Sequence, residues 1–64
     1  MLTQEQLDKF QTFGANARAR GESFLCPYLQ PHEMPKNTGE SFEDWNAKVE
    51  AWNLGWNMED AMRS

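Results

Sequence analysis

The chain has 64 residues, 10 acidic against 6 basic, a formal net charge of −4, one Cys and one His. A chain this short holds one domain near the lower size limit for a self-sufficient core. Cys26 alone excludes an internal disulfide, Cys26 with His32 cannot complete a four-ligand zinc site, and the acidic balance argues against a general nucleic-acid binder, whose affinity rests on Lys and Arg.

Thr3 followed three residues later by Gln6 reads as a capping box that opens a helix, with Glu5 adding charge of the favourable sign. The helix is expected over about 4–20, ending where Gly21 supplies a left-handed position after Arg18 and Arg20. On it Leu7, Phe10, Phe13, Gly14, Ala17 and Gly21 share one face. A glycine costs ~1 kcal/mol against alanine inside a helix. Gly14, Ala17 and Gly21 are therefore read as a groove that receives a bulky ring. Residues 22–40 form the connection. Phe24, Leu25 and Tyr28 are too apolar to idle in solvent, and Pro27 restricts Cys26 to an extended conformation. Residues 30–39, with Pro31, Pro35, Asn37 and Gly39, read as irregular and mobile.

Ser41 with Asp44 marks a second helix start, and the helix is expected over about 42–62. Phe42, Trp45, Val49, Trp52 and Trp56 recur at spacings of three, four, three and four, which at ~100° per residue is a single stripe. The stripe reads as core, with burial by a second copy as the alternative, so a homodimer stays open. The fold class expected is all-α: two amphipathic helices packed as a hairpin-like pair with a partly ordered loop, in one domain spanning 1–64.

No enzyme signature is present. Cys26 reads as a half-buried structural thiol, and adjacent carboxylates such as Glu43–Asp44 and Glu59–Asp60 diverge around a helix. No glycine-rich loop carries the phosphate-binding pattern, so no cofactor or metal is expected. No segment reaches the ~20 apolar residues of a membrane span, and the N-terminus does not read as a signal peptide. With its unpaired Cys, the chain is expected in the cytoplasm. Tyr28 beside Arg18 and Arg20 makes a candidate stacking and phosphate patch.

Gly14, Gly21, Cys26-Pro27-Tyr28 and Trp52-x-x-Gly55-Trp56 together resemble the ribosome modulation factor family, which includes the small proteins described as ciprofloxacin-modifying. The resemblance spans roughly Gly14 to Ala61. It implies a two-helix fold, binding to the small ribosomal subunit and a part in ribosome hibernation; on that hypothesis Lys9, Arg18, Arg20 and Tyr28 are the expected RNA contacts. The expected function is therefore that of a non-enzymatic ribosome-associated factor acting sterically in translation regulation. The alternative, which follows from the acidic composition, is a protein-binding module of phage or mobile-element type that keeps the fold and recognises a protein through Glu43, Asp44, Glu50, Glu59 and Asp60.

Overall fold

The computed structural model describes residues 1–63 and is built from helices and turns. The first helix, α1, runs Gln4–Ala19. Its capping box forms as the sequence predicts: Gln6 N–H donates to Thr3 Oγ1 at 3.1 Å, and Thr3 N–H donates to Gln6 Oε1 at 2.9 Å. At the other end Gly21 N–H donates to the Arg18 carbonyl at 2.9 Å and Glu22 N–H to that of Ala17 at 3.0 Å. This is the Schellman closure, and it requires the left-handed φ of 84° that Gly21 adopts. Gly21 is thus a helix stop. A Cβ at Gly21 would meet nothing within 4 Å, so it takes no part in the groove expected from the sequence.

The connection is more regular than its composition suggests. Pro27, Pro31 and Pro35 each open a turn, giving 3-10 turns at Pro27–Leu29 and Pro31–Glu33 and a short helix α2 at Pro35–Thr38. Proline suits the first position of a helical turn because its φ is preset and the missing N–H would be unpaired there anyway. The four-residue spacing of the three prolines is the sequence signal for this series of turns, and it corrects the expectation of an irregular 30–39 segment.

The long helix α3 runs Phe42–Arg63 and packs along α1. Asp44 N–H donates to Ser41 Oγ at 3.1 Å, the expected cap. Contacts between the two helices advance together along both. The Met1 nitrogen lies 3.4 Å from Asp44, Lys48 lies over Phe10, Gly14 meets Trp52, and Arg18 pairs with Asp60. The helices therefore run in the same sense, and the hairpin-like pairing expected from the sequence is corrected. The physical reason is the connection, whose turns carry the chain back from Glu22 beside Trp56 to Tyr28 beside Trp45 before α3 begins.

Gly14 and Gly55 make the crossing. A Cβ at Gly14 would overlap the Trp52 carbonyl, and one at Gly55 would overlap the Gln11 carbonyl. Backbone therefore rests on backbone, reciprocally. Gly14 accommodates the main chain of Trp52, which corrects the expectation that it receives a ring. Around the crossing the buried core consists of Ala17, Cys26, Val49 and Trp52, with Tyr28, Trp45 and Trp56 packed against it. Phe42, expected on the core stripe, is 66% exposed and touches only the Trp45 ring among the aromatics, at 5.6 Å.

Candidate binding cleft

Two indole N–H groups hold the connection in place. A largely buried tryptophan needs an acceptor for its one donor. Trp45 Nε1 donates to the Tyr28 carbonyl at 2.8 Å, and Trp56 Nε1 donates to the Glu22 carbonyl at 3.2 Å. Between these anchors Cys26 is driven into the core at 4% exposure and Phe24 lies 4.9 Å from the Trp56 ring. An open cleft of about 300 Å³ results between the C-terminal half of α1 and the connection. Phe13, Asn16 and Arg20 form one wall, Leu25, Pro27 and Tyr28 the other, and Ala17 with Trp52 the floor.

The four residues expected to contact RNA are divided by this geometry. Arg20 and Tyr28 line the same cleft. Lys9 is exposed and lies on the helical stripe of Phe13, Asn16 and Arg20, at spacings of four, three and four. Arg18 belongs elsewhere. Its Nε donates to Asp60 Oδ1 at 2.7 Å, and its guanidinium lies 5.7 Å from the Trp56 ring centroid, bracing the C-terminal ends of the two long helices. Arg20 is itself paired across the lip of the cleft, with its Nε 2.6 Å from Glu22 Oε2. The patch is therefore an edge of cation, ring, amide and cation, with one carboxylate bound to it.

Tyr28 contributes less open surface than its place in the sequence suggests. The Lys48 ammonium lies 4.7 Å from its ring centroid, and the Phe10 ring meets it edge-on at 5.6 Å. Lys48 also donates to both Glu40 oxygens, at 3.0 and 3.2 Å, with only 12% of its side chain exposed. Sequence reading missed this clasp of Lys48, Glu40, Tyr28 and Phe10. The Glu40–Lys48 separation of eight residues spans a helix start, so no helical spacing rule reveals it. An amphipathic lysine stem beside an otherwise aromatic stripe was the available signal.

The eight positions that carry the family resemblance all find structural work. Gly14 and Gly55 form the crossing, Gly21 stops α1, Cys26 and Trp52 are core, Pro27 opens the turn, and Tyr28 and Trp56 are packed against the core. No family model, curated protein or solved structure matches the chain. Among the described residues no group of His, Cys, Asp and Glu is arranged to hold a metal ion. None of the described helices is long and apolar enough to cross a membrane.

Burial pushes the Cys26 thiol above its ordinary value, an effect partly offset by hydrogen bonds from the Tyr28 and Leu29 backbone and by the Lys48 charge. The Tyr28 hydroxyl is raised too, first by burial and then by the proximity of Cys26 and Glu33. Both groups hold their protons more tightly folded than unfolded, so unfolding releases protons in alkali and stability falls as pH rises. Denaturant midpoints measured across alkaline pH should decline progressively above the ordinary thiol value of 9.0. In the same range Cys26 should react with a thiol reagent far more slowly than in the urea-unfolded chain. A midpoint independent of pH there, or equal reactivity in the two states, contradicts the burial of these groups.

Proposed function

We propose that this chain is a non-enzymatic binding protein of the ribosome modulation factor type, which docks on the small ribosomal subunit and acts sterically in translation regulation in the cytoplasm. The observation that carries this reading is the edge Lys9, Phe13, Asn16 and Arg20 beside the cleft, where two cations flank an aromatic and an amide. Such an edge suits a nucleic-acid backbone beside an unstacked base. Phe13 replaces Tyr28 as the stacking surface, because it is 44% exposed whereas the Tyr28 face is covered by Lys48. Arg18 leaves the contact set because its side chain, held by Asp60, is only 27% exposed, whereas that of Arg20, paired with Glu22 at the lip, is 61% exposed.

With two cations at the edge the attachment is shallow in salt dependence, with a slope of log K against log salt of about −1 to −2. Sedimentation of tagged protein through sucrose gradients at low salt tests the reading. Co-sedimentation with small subunits is expected, and a double Lys9→Glu, Arg20→Glu variant should lose it while keeping its helical circular dichroism. Absence of the wild-type chain from every ribosomal fraction at low salt rejects the reading.

The protein-binding alternative draws on the acidic surface of α3, but much of that surface is already engaged. Asp60 holds Arg18, Glu59 holds Arg63, and Asp44 faces the Met1 nitrogen. Glu43 and Glu50 are the exposed carboxylates without an ion pair in that group. This reading is therefore confined to one or two charges on α3 and is the weaker of the two.

A further inference from the structure

The connection covers one side of the helix pair and leaves the other bare. On the bare side a second groove of about 260 Å³ runs between α1 and α3, lined by Leu7 and Gln11 from one helix and Ala47, Ala51 and Leu54 from the other. Gln4 and Glu50 lie at its rim, and Glu50 is its one charged lining residue. Depletion of charge at the centre is the compositional mark of an interface core. Leu54 and Met58, at 51% and 50% exposure, continue the same stripe.

Along α3 this stripe is Ala47, Ala51, Leu54 and Met58, at spacings of four, three and four. Its N-terminal half is small and its C-terminal half is large. Reversing the stripe about a point between Trp52 and Asn53 exchanges Ala51 with Leu54 and Ala47 with Met58. A two-fold interface makes this demand, since each residue i that meets j requires j to meet i. The stripe from Ala47 to Met58 occupies about 17 Å of helix at 1.5 Å per residue, well within the 37 Å length of the molecule.

We propose that this face joins two copies of the chain across a two-fold axis, with the α3 helices antiparallel. Leu54 and Met58 of each copy seat over Ala51 and Ala47 of the other. The binding cleft lies on the opposite side of α1, so the dimer carries two clefts facing outward. The proposal does not rest on the function assigned to the cleft.

Sedimentation equilibrium of the full chain is expected to give twice the 7.5 kDa chain mass. Leu54→Ala, which sets small against small, and Ala51→Leu, which sets large against large, should each raise the dimer dissociation constant by about tenfold or more. The double variant restores a small-to-large match and should return to within about threefold of the parent. A chain mass of 7.5 kDa at all concentrations up to about 1 mM, where association would be worth only about 4 kcal/mol, overturns the proposal. A double variant weaker than either single one overturns it as well. Should Ala51→Leu lose its helical circular dichroism, the Ala47→Met, Met58→Ala exchange makes the same comparison further from the axis. Additive rather than compensating effects there reject the assignment.

Discussion

Gly55→Ala is expected to remove a large part of the protein's stability, although alanine is the better helix former by about 1 kcal/mol. The added methyl has nowhere to go. It would overlap the Gln11 carbonyl and lie 3.1 Å from the Ala15 nitrogen, both on a rigid helix. Relief requires α1 and α3 to separate along the crossing, which loosens Ala17, Val49 and Trp52 together. Overpacking of this kind costs about 1–3 kcal/mol, and more where backbone must move. A single core of this size supplies only about 3–5 kcal/mol in total. Gly14→Ala should behave alike, and Gly14→Leu should be worse.

Gly21→Ala is the control. It meets no neighbour, so its cost of about 1–2 kcal/mol comes only from holding a left-handed φ. Urea unfolding followed by tryptophan fluorescence separates the cases. A Gly55→Ala variant as stable as the parent would mean that the helices do not touch backbone to backbone.

Lys48→Glu carries the second large effect, with an expected loss of about 3–5 kcal/mol. The ammonium is nearly buried, shared between both Glu40 oxygens and the Tyr28 and Phe10 rings. Reversal sets a second carboxylate against Glu40 and against the negative faces of two aromatic rings. Lys48→Met keeps most of the stem and its contact with the rings, and Glu40 is free to turn to solvent. That variant should therefore lose markedly less, about 1–2 kcal/mol. Thermal unfolding at two salt concentrations checks the order. Equal losses for Glu and Met would show that the charge is idle and only the stem matters.

Where a residue's role is set within one or two turns of chain, the sequence was readable. Thr3 and Gln6, Ser41 and Asp44, and Gly21 were all identified from near neighbours. The 3-4 periodicity of Trp45, Val49, Trp52 and Trp56 located the buried stripe of α3. The relative direction of the helices was not legible, because both senses bury the same stripes. What decides it is the path of residues 22–41, and that path depends on which carbonyls receive the Trp45 and Trp56 indoles. The same long-range pairing explains the division of the candidate site. Arg18 and Arg20 are neighbours in sequence but ~200° apart around the helix, so one faces Asp60 and the other the cleft.

The shared direction of α1 and α3 has an electrical consequence. Each helix carries about half a positive charge at its start and half a negative one at its end. Side by side and parallel, the two dipoles add, where antiparallel ones would cancel. The formal charges oppose that sum. Glu5 lies in the first turn of α1 and Glu43 with Asp44 in that of α3, while Arg18 and Arg63 occupy the last turns. The acidic side chains at the start of both helices thus act as countercharges to the peptide groups, whereas Arg18 and Arg63 at the other end are already matched by Asp60 and Glu59. In high salt, where exposed side-chain charges are screened, this compensation weakens at the end where both helices begin.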